Sequence, residues 1–492
     1  MCDGQGDLLI GLDLGTSGVV AGVFDATGTL CGLAEASYGV TVRELGAATV
    51  AEQDPQRWWE ATIAALRAAT ASCDQHRLRA VCVGGQGPSL VAVDALGRPT
   101  ASSLIWMDTR AAAVEAQLAQ SGGTPGAGLT LVAKALWLEH NDPRRARDTA
   151  HYLQSWDYIA LRLCGVPFAS SPWDGPAVAA SGLPAGRFPP FVPCATVAGT
   201  LTTAAHQATG LPVGLPVVAG TNDSIMGLIG CGATERGRGA ALGGTSGGFA
   251  VAWDATPGAW RPPPGTYPEP PGLRFFGDAT AASGRILDWC LAATGRASAA
   301  TDGWEDEAAA IPPGADGLLM LPYLAGERAP FRDPQARGVY FGLALNHTPA
   351  HLLRAALEGV ALSVRHVMEA TITQGAQVHE VRVFGGQARS ALWNRIKADA
   401  TNRPVLVPQV VEAGALGGAI VAAAGVGLYP SIWAAAAAMV RIAARIEPDP
   451  RAAAVYDQAF AIYRELYPRL RDLFPLLQGA MAGPITSSGG QG

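Results

Sequence analysis

The chain has almost no lysine, since only Lys134 and Lys397 occur among its 35 basic residues. Its net charge is −6, and no basic stripe runs through it. Proteins that bind nucleic acid or an anionic membrane surface need such positive charge, so neither partner is expected. A small phosphorylated ligand needs only local positive charge or a metal ion. We read the scarcity of lysine as a compositional bias without functional content.

Paired cysteines and long apolar runs are missing as well. The eight cysteines include no Cys-x-x-Cys pair, so thiolate metal spacing is absent and buried free thiols are predicted. The longest apolar run, residues 413–428, is shorter than the roughly 20 residues of a membrane span, and a buried helix is expected there. The N-terminus has no basic and apolar regions of a signal peptide. These absences predict a soluble, cytoplasmic protein.

The length predicts more than one domain. At 492 residues with 49% hydrophobic content, the chain exceeds what one hydrophobic core supports. We expect an N-terminal domain over residues 1–238, a C-terminal domain over 239–478 and a disordered tail over 479–492. Two proline-rich loops, 166–200 and 260–272, have no assigned role.

One short stretch has the pattern of a phosphate-binding hairpin. An apolar strand over residues 8–14 reaches Asp13, turns through Gly15-Thr-Ser-Gly18 and re-enters a strand over 19–25. Glycines let the backbone approach a ligand, and the turn's N–H and hydroxyl groups can cradle a phosphate. Asp13 is placed to hold a hydrated divalent cation. The alternative is a plain turn, but a second copy, Gly244-Thr-Ser-Gly247, follows about one domain length later.

Other strand ends carry polar side chains. A strand over residues 79–83 opens into Gly84-Gly-Gln-Gly-Pro-Ser89, where Gln86 is either a ligand for a substrate hydroxyl or a structural turn amide. Trp106, Asp108 and Arg110 form either a sugar-facing wall and clamp or the cap of the next helix. Both pairs of alternatives stay open.

Two further junctions and two helix starts are predicted. Asp223 follows a strand over residues 213–219; its commoner role is a helix N-cap, although a carboxylate there can also accept a proton from an attacking hydroxyl. Gly385 and Gly386 allow a flat ligand such as a purine to approach, or form a plain turn. Asp54-Pro55 and Thr348-Pro349 have the pattern of helix N-termini.

The motifs of other phosphoryl-transfer proteins are absent: the chain has no Gly-x-x-x-x-Gly-Lys-[Ser/Thr] and no His-Arg-Asp loop. The twin hairpins instead suggest duplicated α/β domains that offer phosphate ligands to one cleft. Phosphoryl transfer needs in-line alignment, Mg²⁺ on the phosphate oxygens and a base for the incoming alcohol.

At this point the chain resembles a known family, the FGGY carbohydrate kinases of the actin-like ATPase superfamily, and among them the xylulokinases. The similarity runs from about residue 8 to 428. The motifs that carry it are Asp13-Leu-Gly-Thr-Ser-Gly18, Glu52-Gln-Asp-Pro55 with Trp58-Trp59, Gly85-Gln86, Trp106-x-Asp-x-Arg110, Gly220-x-x-Asp223, Gly244-Thr-Ser-Gly247, Leu321-Pro-Tyr-Leu-x-Gly-Glu-Arg-x-Pro330 and Gly385-Gly-x-Ala-Arg-Ser390 with Trp393 and Ala398-Asp399.

The resemblance implies two actin-like (ribonuclease H-like) α/β domains flanking a central cleft, with ATP and Mg²⁺ as cofactors. It implies Asp223 as the catalytic base and Asp13 as a Mg²⁺ ligand through water. The acceptor-binding candidates are Gln86, Gly87, Pro88, Trp106, Asp108, Arg110 and Asp223; the nucleotide-binding candidates are Gly15, Thr16, Ser17, Gly244, Thr245, Ser246, Gly385, Gly386 and Gln387; the metal candidates are Asp13 and Asp223.

Two departures concern the acceptor. Xylulokinases usually have Gly-Gln-Met-His-Gly, where this chain has Gly85-Gln-Gly-Pro-Ser89, and Asn after the catalytic Asp, where this chain has Ser224. Loss of hydrogen-bonding groups from a sugar pocket shifts selectivity strongly. The resemblance therefore implies an ATP-dependent kinase for a primary hydroxyl of a small ketose or polyol.

Alternatives remain at two levels. The acceptor is D-xylulose or a close relative, or else ribulose, erythritol, gluconate or glycerol. A non-catalytic, actin-like nucleotide switch is the alternative from a different class. The stereochemistry of the acceptor is left open, and so is the oligomeric state, for which a homodimer is one option.

Overall fold

The computed structural model describes residues 6–45, 48–244, 247–254, 273–296 and 303–481. By their internal contacts the residues form two compact units. Among the described residues, unit 1 comprises 6–45, 48–236, 252–254, 273–275 and 408–442, and unit 2 comprises 237–244, 247–251, 276–296, 303–407 and 443–481. Thr245, Ser246 and the loop 260–272 lie outside the described residues, as does the tail from residue 482. The predicted domain limits stay predictions.

The N-terminal half alternates strands and helices. Its strands are β1 (Leu8–Leu14), β2 (Gly18–Asp25), β3 (Leu30–Ser37), β4 (Thr41–Leu45), β5 (Ala48–Gln53), β6 (Leu78–Gly85), β7 (Val91–Val93), β8 (Ser103–Leu104), β9 (His151–Leu153), β10 (Val197–Thr200) and β11 (Pro216–Val218). Its helices are α1 (Pro55–Thr70), α2 (Ala112–Gln120), α3 (Ala127–Asn141), α4 (Pro143–Asp148), α5 (Ser155–Cys164), α6 (Gly175–Ser181), α7 (Thr203–Thr209) and α8 (Asp223–Gly230).

The C-terminal half repeats this alternation. Its strands are β12 (Arg238–Ala241), β13 (Gly247–Asp254), β14 (Leu273–Thr280), β15 (Leu319–Leu321), β16 (Val339–Phe341), β17 (Glu380–Val383), β18 (Val405–Pro408) and β19 (Ile442–Ile446). Its helices are α9 (Gly284–Ala293), α10 (Trp304–Ala309), α11 (Pro349–Thr373), α12 (Ala391–Thr401), α13 (Ala413–Gly425), α14 (Ile432–Met439), α15 (Pro450–Leu470) and α16 (Phe474–Met481).

The two main sheets have the same strand pattern. One has the order β10-β11-β6-β1-β2-β3 and the other β14-β13-β12-β17-β18-β19. In the first, β2 is antiparallel to β1, while β6 is parallel to both β1 and β11. In the second, β13 is antiparallel to β12, while β17 is parallel to both β12 and β18. The predicted α/β class with two sheet-containing units is confirmed, whereas the cleft stays a prediction.

Each unit has its own apolar core. In unit 1 the strands β1, β2 and β6 pack against the tryptophan-bearing face of α1. In unit 2 the buried face of α11 packs with β15 and α15. Such a division follows from length, because one core stops growing at a few hundred residues.

Several local predictions are confirmed. Helix α1 begins at Pro55, and Asp54 Oδ1 accepts a hydrogen bond from Gln56 N at 2.9 Å. Helix α11 begins at Pro349 behind Thr348. The apolar run from residue 413 forms α13, and its residues 413–423 are buried. None of the described helices combines the length and apolar composition that crossing a bilayer requires.

Among the described residues the prediction of buried free thiols is confirmed for five cysteines and fails for the half-buried Cys73, while Cys2 lies outside the described residues. Six cysteines are free thiols, and five of them are buried. Cys31 is instead disulfide-bonded, so the prediction of free thiols is wrong for this residue. The free cysteines are Cys73, Cys82, Cys164, Cys194, Cys231 and Cys290.

Candidate active site

Three candidate residues of unit 1 lie in or after the ends of strands that meet at one edge of its sheet. Strands β1 and β6 run parallel with Asp13 opposite Gly84, and β11 runs parallel to β6. A bridge joins Gly85 to Asn222, the residue before Asp223. The carboxyl ends of parallel strands are where open α/β sheets bind ligands. The topology thus brings Asp13, Gln86 and Asp223 together.

Asp13 is held in a tight, partly desolvated position. Its Oδ1 atom is buried and has no hydrogen-bond partner among the described residues. On the other side, a Cβ atom added to Gly414, in the first turn of α13, would lie 1.9 Å from Asp13 Oδ2. Burial, and after it the negative charge of Asp223, raises the pKa of Asp13 to about 7. Only glycine at position 414 lets helix and carboxylate approach this closely.

Asp223 is the first residue of α8 and is not its N-cap. The cap is Asn222, whose Oδ1 accepts a hydrogen bond from Ser224 N at 3.0 Å. The alternative that Asp223 is only an N-cap is therefore wrong; asparagine and aspartate are equally good caps, and the chain uses the earlier one. Burial raises the pKa of Asp223 above its ordinary value, against the lowering effect of hydrogen bonds from Ser224 and Asn222.

The two carboxylates suit a hard divalent cation. Repulsion between Asp13 and Asp223 and the unpartnered Asp13 Oδ1 both disfavour two bare anions here. Mg²⁺ prefers oxygen ligands and usually takes only one or two carboxylates while it keeps several waters. The described residues contain no larger cluster of His, Cys, Asp and Glu that could hold a metal ion. The residues present fit a hydrated Mg²⁺.

The hairpin between β1 and β2 lies beside the predicted tryptophan. Gly15 N donates to Gly18 O at 2.9 Å, which closes the turn. Trp106 Nε1 donates to Thr16 Oγ1 at 3.0 Å. The side chain of Ser17 is exposed. Because Thr16 Oγ1 accepts from the indole, its own proton remains available to donate to a ligand.

Gln86 is linked to the hairpin through Gln53, to which the sequence analysis gave no role of its own. Gln86 Nε2 donates to Gln53 Oε1 at 2.6 Å, whereas Gln86 Oε1 is buried without a partner among the described residues. Gly87 is sterically required, since a Cβ there would lie 2.9 Å from the Trp156 ring. Pro88 O accepts a hydrogen bond from Lys134 Nζ at 2.8 Å. Gln86 is thus held from one side and presents an acceptor atom on the other.

Asp108 and Arg110 bind each other. Arg110 Nη2 lies 2.6 Å from both Asp108 Oδ2 and Glu52 Oε1, and its guanidinium stacks 4.4 Å from the ring centre of Trp137. Helix α2 begins later, at Ala112, without a side-chain cap. The alternative in which this group caps the helix is therefore wrong. The ion pair holds β5 against the segment after β8; a role in acceptor binding stays a prediction.

In unit 2 the candidate residues for nucleotide binding lie where the backbone segments around Gly244 and Gly385 come close to their neighbours. Gly385 has a φ of +73°, and a Cβ there would lie 2.6 Å from Gly243 O. Gln387 Nε2 donates to Ser283 Oγ at 2.7 Å, and Gly284 N donates to Gly244 O at 3.2 Å. Unit 2 therefore brings the glycines 244 and 385–386 close to Gln387, while Thr245 and Ser246 lie outside the described residues.

Each of the two lysines bonds to a segment that carries candidate site residues. Lys134 Nζ donates to Pro88 O and Ile105 O, at 2.8 and 2.7 Å, which ties the Gln86 segment to the one before Trp106. Lys397 Nζ donates to Gln387 Oε1 at 3.0 Å. Burial lowers the pKa of each to about 7.

Comparison with known proteins agrees with this arrangement. The model of the FGGY family of carbohydrate kinases, N-terminal domain, matches residues 8–230, and that of the C-terminal domain matches residues 239–426. A xylulose kinase of Bacillus subtilis is 28% identical over 89% of this chain and 92% of its own length. A gluconokinase of the same organism is 25% identical over 86% of this chain and 87% of its own.

A solved structure gives the same result. The xylulose kinase from Rhodospirillum rubrum is 31% identical, superposes with a TM-score of 0.78 and covers 95% of this chain and 99% of its own. The predicted actin-like fold and the predicted kinase activity are confirmed by these matches. The chain belongs to the FGGY family of carbohydrate kinases and is a sugar kinase, a phosphotransferase with an alcohol group as acceptor.

Proposed function

We propose that the chain transfers the γ-phosphoryl group of ATP to a primary hydroxyl of a small ketose or polyol, with Mg²⁺ as the metal ion. The observation that carries the proposal is the meeting of Asp13 and Asp223 at the sheet edge, beside Gln86 and the hairpin 15–18. A carboxylate for the metal, a base for the alcohol and a phosphate-binding turn are what phosphoryl transfer requires.

Asp223 is the proposed base. Its raised pKa brings it closer to neutrality than a free aspartate, which favours acceptance of the proton of the attacking hydroxyl. Its position at the N-terminus of α8 keeps the ionised form accessible, because the helix dipole stabilises a negative charge there. Asp13 and Asp223 would hold Mg²⁺, which when bound neutralises charge on the phosphate oxygens.

Gln86 and Trp106 are the proposed acceptor ligands. Gln86 Oε1 is a buried acceptor without a partner among the described residues, so it is available to a hydroxyl proton of the substrate. The indole of Trp106 is fixed by its bond to Thr16. Thr16 and Ser17 would bind phosphate in unit 1, and Gly244, Thr245, Ser246, Gly385, Gly386 and Gln387 would bind the nucleotide in unit 2.

D-xylulose, converted to D-xylulose 5-phosphate, is the first acceptor to test, because the xylulose kinases named above align over most of the chain. A second acceptor class is aldonate, which the gluconokinase relative supports. Gly87-Pro88 and Ser224 stand where xylulokinases usually have other residues, which argues against an acceptor site that takes xylulose alone.

The test is acceptor-dependent ADP release by the purified chain with ATP and Mg²⁺. We expect turnover with at least one of D-xylulose, D-ribulose, erythritol, gluconate and glycerol, and the highest kcat/KM for a pentulose. A highest kcat/KM for gluconate would move the proposal to the aldonate class. ADP release that no acceptor increases would contradict it and favour a nucleotide switch.

A further inference from the structure

The carbonyl oxygens of the hairpin 15–18 accept hydrogen bonds, and two residues outside the hairpin donate most of them. The Tyr38 hydroxyl donates to Gly15 O and lies 3.0 Å from Gly18 O. Tyr38 N donates to Ser17 O at 2.9 Å, and Gln53 Nε2 donates to Thr16 O at 2.8 Å. Tyr38 and Gln53 thus bind the carbonyl oxygens of Gly15, Thr16 and Ser17, while Gly18 O accepts the turn-closing bond from Gly15 N at 2.9 Å.

This arrangement determines where the N–H groups point. In a planar trans peptide the C=O of one residue and the N–H of the next point in opposite directions. With Gly15 O and Thr16 O turned toward Tyr38 and Gln53, the N–H groups of Thr16 and Ser17 face the other way. Convergent N–H groups of that kind bind anions. Tyr38 and Gln53 therefore orient the hairpin for a phosphate.

The other end of Gln53 contacts the acceptor segment. Trp58 Nε1, which can only donate, lies 3.2 Å from Gln53 Oε1, and Gln86 Nε2 donates to the same oxygen at 2.6 Å. The amide nitrogen of Gln53 must then face the carbonyls of Thr16 and Gly39. The side chain is 4% exposed, so solvent cannot replace these bonds.

We propose that Gln53 is a positioning residue that couples acceptor binding at Gln86 to phosphate binding at the hairpin, with Tyr38 as the second support of the hairpin. The inference rests on the proposed function, in which Gln86 binds the acceptor. An acceptor hydroxyl that bonds to Gln86 and displaces its side chain also displaces Gln53, and through Gln53 the peptide of Thr16. Because coupling is reciprocal, the acceptor tightens nucleotide binding and the nucleotide tightens acceptor binding.

The experiment measures the ADP dissociation constant with and without the best acceptor, together with kcat and both KM values. In the wild type we expect the acceptor to tighten ADP binding about 5-fold or more. Gln53→Met removes both ends of the bridge and brings that factor to about 1, with kcat/KM lower by about 10- to 100-fold. Gln56→Met is the matched control: this residue of α1 bonds to Glu60 and Arg162 and not to the hairpin.

Two further variants keep the test decisive if Gln53→Met does not fold. Gln53→Glu keeps the shape but turns a carboxylate oxygen toward Thr16 O and Gly39 O. Tyr38→Phe keeps the ring, whose centre lies 6.4 Å from that of Trp58, and removes only the hydroxyl. Both are expected to weaken ADP binding, with Gln53→Glu also abolishing the coupling.

The outcomes separate the two proposals. A Gln53 variant with a lower Tm but unchanged ADP affinity and unchanged coupling would overturn the inference, since its role would then be structural only. A wild-type chain that turns over no acceptor contradicts the proposed function instead. In that case the support of the hairpin by Gln53 and Tyr38 is still decided by ADP affinity alone.

Discussion

At the scale of single residues the first prediction concerns Asp223, the proposed base. Asp223→Asn keeps the size of the side chain and removes the base, so phosphoryl transfer should fall by about 10²- to 10⁴-fold, while ADP affinity measured without Mg²⁺ changes little. Asp148→Asn is the control, because it makes the same change at the exposed last residue of α4. Acceptor-dependent ADP release measures the effect; near-full activity of Asp223→Asn would exclude it as the base.

Lys134 gives a prediction for the pH dependence of stability. Burial lowers its pKa from 10.5 to about 7 in the folded chain, against the attraction of Asp108 and Glu115. Between these values the unfolded chain binds more protons than the folded chain, so Lys134 makes the free energy of unfolding rise with pH, by at most about 1.4 kcal/mol per pH unit.

The measurement is urea unfolding of the wild type and Lys134→Met between pH 7 and 9.5. We expect the variant to lack this part of the rise, because methionine does not titrate. Identical slopes for the two proteins would show that Lys134 is protonated throughout this range.

At the scale of elements, the first turn of α13 packs directly against the carboxylate of Asp13, the proposed metal ligand. Gly414→Ala places a methyl group 1.9 Å from Asp13 Oδ2, so helix or carboxylate must move. A displacement of about 1 Å at a reacting group costs about 100-fold in rate. Gly175→Ala in α6, where nothing lies within 4 Å of the new Cβ, should retain activity. Equal kcat/KM values for both variants would contradict the argument.

A buried ion pair within α11 of unit 2 also bonds to the Tyr456 hydroxyl of α15. Glu358 Oε1 accepts from Arg354 Nε at 2.6 Å and from the Tyr456 hydroxyl at 2.8 Å. Arg354→Met leaves Glu358, which is 2% exposed, without its counter-charge, and should lower the free energy of unfolding by about 3–5 kcal/mol.

The matched control is Arg469→Met in the exposed pair with Glu465 on α15, where the side chains are 73% and 65% exposed. Exposed pairs contribute at most about 1 kcal/mol. Chemical denaturation measures both variants; similar small losses would mean that the buried pair contributes no more than the surface pair.

Sequence patterns predicted those elements whose signals are local. Asp54-Pro55 lies directly at the start of α1, and its cap needs no distant partner. The cap of α8 was assigned to Asp223 instead of Asn222, because neighbouring Asx residues are chemically equivalent caps. Tyr38 and Gln53 were missed as supports of the hairpin, because their contacts join residues that are 20 or more positions apart.

At the scale of the whole molecule, the prediction concerns the effect of Mg²⁺ on the thermal stability that ADP adds. With Mg²⁺ present, ADP should raise the Tm, since a ligand at 100 times its dissociation constant adds about 2.7 kcal/mol to stability. Removal of Mg²⁺ with a chelator should reduce that rise and stop ADP release, and Asp13→Asn should reduce it even with Mg²⁺. If neither the chelator nor Asp13→Asn reduced the rise in Tm with ADP, Asp13 would not be the residue that holds the metal ion.

The topology of the whole molecule was predictable because it is repeated. Two Gly-Thr-Ser-Gly turns about one domain length apart indicated duplication. In both sheets three strands that are consecutive in the chain lie side by side, and the first of the three is followed in the sheet by two later strands that run parallel to it. Unit 1 also includes residues 408–442 from the C-terminal half of the chain. The sequence could not show this, since no change in composition marks the ends of that segment.

The burial of both lysines has a practical consequence. Each is 1% exposed, and the sequence contains no others. Amine-directed labels and cross-linkers should therefore find no side-chain target on the native surface. A lysine-specific endoprotease can cut the chain only after unit 1 or unit 2 opens, so the two cleavage products would report separately on the unfolding of each unit.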